Sequence, residues 1–205
     1  MVKAAKSVVY IIDDDQAIRR FLGGLLASVG LENEAYSSAG EFLDTHMPGR
    51  PGCILLDIRM PGMSGLELQQ ELINRAIDLP VIILTGHGDV QVAVHAMKAG
   101  AIDFFEKPFN NELLLNQVQK AVASSVSKND SRSELIETKS RFNSLTPREQ
   151  QILDMVVEGE TNKGIARRFN ISDKTVENHR SRVMEKMQAS SLASLVRMIS
   201  ELERL

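Results

Sequence analysis

Cys53-Ile54-Leu55-Leu56-Asp57-Ile58-Arg59-Met60-Pro61-Gly62 carries four apolar residues into a carboxylate, then into a proline and a glycine. A short apolar run closed by turn residues suits a strand buried on both faces. The pattern recurs on either side. Val8-Val9-Tyr10-Ile11-Ile12 ends at Asp13-Asp14-Asp15, and Val81-Ile82-Ile83-Leu84 ends at Thr85. Ala101-Ile102-Asp103-Phe104-Phe105 ends just before Lys107. Between these runs, Ile18, Phe21, Leu22, Leu25, Leu26 and Val29 recur at helical spacing before Gly30. Similar spacing predicts helices over 65–76, 89–99 and 110–124, with a weaker strand and helix in 32–45. Strands alternating with helices predict an α/β fold, a five-stranded, parallel, doubly wound sheet. Ligands of such sheets bind outside the carboxyl ends of the strands. Asp13, Asp14, Asp57, Thr85 and Lys107 all fall there, so three carboxylates, a hydroxyl and an ammonium are expected along one edge.

Converging carboxylates repel unless a cation joins them or their pKa values rise. An all-oxygen set with retained waters suits Mg²⁺, which partners with phosphate. Lys107 can pair with an incoming phosphoryl oxygen, Thr85 can donate to another, and an aspartate can accept a phosphoryl group. Taken singly, an aspartate at a strand end usually caps a helix or faces solvent, and Lys107 and Thr85 are ordinary surface and capping residues. Their coincidence at successive strand ends favours a site. Cys53 reads as a small core residue, and a single cysteine excludes an internal disulfide. His46, His87 and His95 lack metal-ligand spacing; His87, close to Thr85, is a candidate for tuning phosphoryl lifetime.

Asp13-Asp14, Asp57 through Gly65, Thr85-Gly86-His87-Gly88 and Lys107-Pro108-Phe109 together resemble the flavodoxin-like receiver domain of response regulators, over about residues 7–124. The resemblance implies that Asp57 accepts phosphoryl from a sensor histidine kinase. It also implies that Asp13, Asp14, Asp57 and the main-chain carbonyl of Arg59 hold Mg²⁺, with Thr85 and Lys107 contacting the phosphoryl group. Phe104 takes the aromatic switch position, and Lys107-Pro108 is expected to be a cis peptide. Asp15 stands where many relatives carry glutamate.

Charge divides the chain. Residues 1–124 hold 10 basic and 15 acidic side chains, whereas residues 145–205 hold 10 and 9. Residues 125–144 are polar and read as a linker that could be partly helical. From Leu145 the pattern is helical throughout. Thr146-Pro147-Arg148-Glu149 opens a helix as a capping box with proline in the first turn, and Gly159 ends it. A short helix over Lys163–Phe169 follows, then a helix of about Asp173–Met187 capped by Ser172, and a last one through Leu192, Leu195, Val196 and Ile199. Residues 142–205 resemble the LuxR-type helix-turn-helix, and the whole chain resembles the NarL/FixJ family. The expected organisation is a receiver at 1–124, the linker at 125–144 and a small all-α DNA-binding domain at 145–205.

In that domain Ile165, Ala166, Phe169, Ile171, Val176, Val183, Met184 and Met187 are spaced to form a core. Lys174, Thr175, Asn178, Ser181 and Arg182 lie on the other face of the second helix. Glu177, Asn178 and Ser181 are candidates for base contacts, and Lys163, Lys174, His179 and Arg182 for phosphate contacts. Arg167 to Lys186 holds six basic residues, suited to a polyanion. The partners implied are the sensor kinase, promoter DNA, RNA polymerase and, on phosphorylation, a second copy joined through the 89–109 surface or the last helix.

Other readings remain. A Mg²⁺-dependent phosphatase would want a carboxylate two residues after its nucleophile, where Arg59 stands, so no enzymatic role is expected beyond phosphoryl acceptance and slow self-hydrolysis. A constitutive DNA-binding protein would not need the acidic set. The lack of a spanning apolar run or signal sequence, with the lone cysteine, points to the cytoplasm.

Overall fold

The computed structural model describes residues 6–86 and 90–204, residues 90–93 through their backbone. His87 lies outside the described residues. Contacts divide the chain into two units, Met1–Asn129 and Asp130–Leu205.

In the first unit, five strands alternate with helices: β1 Val8–Ile12, α1 Gln16–Ser28, β2 Asn33–Tyr36, α2 Ala39–Thr45, β3 Gly52–Asp57, α3 Gly65–Asn74, β4 Val81–Thr85, α4 Val90–Lys98, β5 Asp103–Glu106 and α5 Asn111–Asn143. The sheet is parallel throughout, in the order β2-β1-β3-β4-β5. Side chains alternate across it. Tyr10, Ile12, Ile54, Leu56 and Ile83 meet Phe42, Leu68 and Leu72 of α2 and α3. Val9, Ile11, Cys53, Leu55, Ile82 and Leu84 meet Leu22, Leu26, Leu114 and Val118 of α1 and α5. Burial on both faces explains the unbroken apolar runs. Cys53 is fully buried, and burial pushes its thiol up to about 12, so it is a core residue and no nucleophile.

The expected linker is helical. Residues 125–143 continue α5 without a break, and Ser144 ends it through bonds to the carbonyls of Ser140 and Arg141. That stretch holds no glycine or proline, so nothing stops the helix. Ser125, buried on α5, accepts from the N–H of Gly52 at 3.0 Å and ties this helix to the start of β3.

The second unit holds the end of α5 with α6 Pro147–Val157, α7 Asn162–Phe169, α8 Asp173–Met187 and α9 Leu192–Leu202. Thr146 and Glu149 form the expected capping box, with Pro147 in the first turn. Ser172 caps α8, and Asn170 in a left-handed conformation ends α7. Ile152, Leu153, Ile165, Val176, Val183, Met187 and Leu195 make the core. Arg148 adds a cation over the Phe169 ring, 3.9 Å from its centroid, joining α6 to the end of α7.

Candidate functional site

The strand order turns around between β1 and β3, and that crevice is where doubly wound sheets place their ligands. Ile12 pairs with Leu56, so the next residues along, Asp13 and Asp57, sit level across the crevice. Asp57 pairs with Leu84 and Thr85 with Glu106, which brings Thr85 and Lys107 to the same edge. The strands are short and their register continuous, so sequence position alone delivers these groups together.

Asp13, Asp57 and Thr85 are buried, at 1%, 6% and 3% exposure. Lys107 Nζ donates to Asp13 Oδ2 at 2.7 Å and to Asp57 Oδ1 at 2.5 Å, one ammonium shared by two carboxylates. Burial pushes the Asp57 carboxyl above its ordinary range, and the Asp13 charge adds to this; Lys107 and the Arg59 N–H pull it down without cancelling the rise. Burial alone would weaken the Lys107 ammonium, but its bonds to Asp13 and Asp57 outweigh that and leave its pKa raised. Thr85 donates to the carbonyl of Gly86 at 3.2 Å, while its own carbonyl accepts from Lys107 N at 2.7 Å. The Lys107-Pro108 peptide is cis.

Two of the three expected carboxylates meet here. Asp14 is exposed, because adjacent residues beyond a strand face opposite ways and Asp13 takes the inward direction. Among the described residues no three His, Cys, Asp or Glu side chains gather closely enough to form a closed metal cage. Lys107 shows where positive charge fits. The donors are all hard oxygens, the set Mg²⁺ takes together with retained waters. Phe104 pairs with Ile83 across the ladder and is 41% exposed.

Two groups at this edge carried no assigned role in the sequence. Arg19 Nη1 donates to the Asp13 carbonyl at 2.6 Å. The available signal was helical position, since long side chains in a first turn lean back toward the N-terminus. Gly65 begins α3 so close to the site that a Cβ there would meet the Asp57 carbonyl oxygen at 2.3 Å. Any side chain at that position would displace the main chain behind Asp57.

In the second unit, Lys174, Glu177, Asn178, Ser181 and Arg182 are all exposed, at the spacing of one α8 face, with Val176, Val183 and Met187 buried opposite. Lys174 bonds Glu177 at 3.0 Å within that face. Lys163 is exposed in the first turn of α7. Thr175 is half-buried, its hydroxyl 2.8 Å from that of Ser172 in the cap. His179 is also half-buried, and its Nδ1 lacks a hydrogen-bond partner. Two of the six basic residues counted toward a polyanion face are held inside the unit. Arg180 donates to Asn162 Oδ1 at 2.9 Å and Lys186 to Glu149 Oε2 at 2.7 Å.

Comparison with known proteins agrees with both halves. The family model for the response regulator receiver domain matches residues 9–119, and that for bacterial regulatory proteins of the luxR family matches residues 143–199. The transcriptional regulatory protein FixJ of Azorhizobium caulinodans is 46% identical over 190 residues, covering 93% of this chain and 90% of that protein. Nodulation protein W of Bradyrhizobium diazoefficiens is 42% identical, covering 95% and 86%. Among solved structures, the response regulator StyR matches with a TM-score of 0.88 at 40% identity, over 96% of this chain and 100% of that one. Full-length FixJ from B. japonicum gives 0.59 at 40% identity, over 98% and 99%. With one family matched in each unit and relatives along nearly its whole length, the chain belongs to the NarL/FixJ-type response regulators, two-component regulators of transcription with a receiver and a LuxR-type DNA-binding domain.

Proposed function

We propose that Asp57 accepts a phosphoryl group from a sensor histidine kinase and that the charge placed there switches DNA binding by the second unit. The observation that carries this reading is the imbalance at the sheet edge: one ammonium serves two buried carboxylates, and the Asp57 carboxyl still lies above its ordinary range. An Asp57 oxygen forms a bond to phosphorus as the P–N bond of a phosphohistidine breaks, and the electron pair returns to the imidazole nitrogen. Asp13, Asp14, Asp57 and the Arg59 carbonyl would hold Mg²⁺. When bound, that ion supplies positive charge that offsets repulsion between the carboxylates and the phosphoryl donor.

The product carries about −1.5 to −2 charge. Lys107 turns from Asp57 to a phosphoryl oxygen, and the Thr85 hydroxyl leaves the Gly86 carbonyl for another. Phe104 moves into the space Thr85 leaves. The surface of residues 89–109 then repacks and joins two copies, which suits paired half-sites on DNA. Taking the switch from mostly off to mostly on requires a differential of about 5 kcal/mol between the states.

In the second unit, Glu177, Asn178 and Ser181 read base edges, while Lys163, Lys174, His179 and Arg182 contact phosphates. The dimer activates transcription from its promoter together with RNA polymerase, in the cytoplasm. The receiver's chemistry stops at phosphoryl acceptance and slow hydrolysis. Among the described residues no helix is long and apolar enough to cross a membrane.

Sedimentation of the chain in Mg²⁺, with and without beryllofluoride, tests the switch. Wild type is expected to pass from monomer to dimer and Asp57→Asn to stay monomeric. The same shift in both would remove Asp57 from the mechanism.

A further inference from the structure

We infer that Arg19 is a positioning residue for the acidic site, fixing the main chain that carries Asp13 and Asp14; the inference rests on the phosphoacceptor reading above. Strand pairing of β1 ends at Ile12. The Asp13 N–H still reaches the Tyr36 carbonyl at 3.2 Å, but the Asp13 carbonyl lies past the last ladder pair in a residue only 1% exposed. A buried carbonyl in that position needs a donor from elsewhere. Arg19 supplies it at 2.6 Å, with a charged group that makes the bond stronger than a neutral one.

Each polar atom of Asp13 is thereby held by a different part of the fold. Its N–H goes to β2, Oδ1 accepts from Asp15 N at 2.9 Å, Oδ2 takes Lys107 at 2.7 Å, and its carbonyl takes Arg19. Asp15 is also the N-cap of α1, accepting from Ala17 N at 2.7 Å, and its carbonyl receives the Arg19 N–H at 3.1 Å. The Asp15 carbonyl keeps its bond to the residue 19 N–H whatever side chain stands there, whereas the Asp13 carbonyl depends on the Arg19 guanidinium. Without that group the peptide between Asp13 and Asp14 loses a restraint, which loosens the turn that carries Asp14 and the main chain beneath the Asp13 carboxylate. The sheet and the α1 packing, built from Leu22 and Leu26, do not depend on that peptide.

The test is calorimetric titration of the full chain with Mg²⁺, together with phosphorylation rates from acetyl phosphate across a range of Mg²⁺. In Arg19→Met the Mg²⁺ affinity is expected to fall by about tenfold. Most of the wild-type rate should return at saturating Mg²⁺, and Arg19→Lys should recover part of the affinity. Unchanged Mg²⁺ affinity in Arg19→Met, whether the saturated rate is normal or reduced, would overturn the inference. Should Arg19→Met not fold, Arg19→Gln is read by the same criteria. A wild type that neither binds Mg²⁺ nor takes phosphoryl would instead overturn the phosphoacceptor reading, and this inference with it.

Discussion

Lys107 and Lys186 each donate to a buried carboxylate at 2.7 Å, yet the two pairs are in opposite electrostatic condition. In the second unit, Glu149 Oε2 receives Lys186 and the Thr146 N–H, and the carboxyl falls to about 2, with the Lys186 bond as the largest cause. One carboxylate meets one ammonium and a helix cap. In the first unit, one ammonium serves both Asp13 and Asp57, and burial leaves the Asp57 carboxyl raised. The satisfied pair holds α8 to the start of α6. The unsatisfied set retains an affinity for further cations and for a group that changes its charge, which is how reactive sites differ from structural ion pairs.

Asp57→Asn should break this comparison most completely. Acetyl phosphate is expected to raise wild-type affinity for DNA, selected from a random pool, by about 10–100-fold, and the substitution to remove that entire gain. A gel-shift titration that shows the gain surviving would place the switch elsewhere. The converse change in the second unit is Lys186→Met, which leaves the Glu149 carboxylate buried without its cation. Thermal unfolding should then show that unit less stable by about 1–3 kcal/mol, and an unchanged midpoint would mean the Thr146 cap suffices alone.

The signs with pH sharpen the contrast. Glu149 has a folded value of about 2 against an ordinary 4.5, so its contribution is present above 4.5 and is lost as pH falls toward 2. Asp57 lies above its ordinary 3.8, so its contribution is greatest below 3.8 and is lost as pH rises through the folded value. At neutral pH without Mg²⁺, Asp57→Asn should therefore raise the first unit's melting midpoint by about 2–4 °C, whereas Glu149→Gln should lower that of the second. A fall in both would contradict the opposition. The smallest effect is expected at Arg182, exposed on α8: Arg182→Ala should lower the log–log salt slope of DNA binding by about 0.9 per protomer, about 1.8 for the dimer, and an unchanged slope would take it off the phosphates.

The central strands β1, β3 and β4 were legible because their apolar runs are unbroken, and the site because these runs end in polar groups that the strand-end rule gathers. Thr146-Pro147-Arg148-Glu149 announced α6 through its own cap chemistry. Residues 125–143 were harder to read: their helix shows no single apolar stripe, and a polar sequence free of glycine and proline reads equally as linker. That Asp13 and Asp14 face opposite ways follows from local alternation, but the partner that the inward Asp13 meets, Lys107, lies 94 residues away in the sequence. Arg180 and Lys186 looked like surface cations because composition cannot show that Asn162 and Glu149 face them.

The most direct test of the central claim is to map the phosphoryl group. The chain is incubated with Mg²⁺ and acetyl phosphate, reduced with borohydride to trap an acyl phosphate as homoserine, and digested for mass spectrometry. The account predicts homoserine at position 57 alone, and none without Mg²⁺. Homoserine at another carboxylate, or none at all in a folded and Mg²⁺-bound chain, would contradict it.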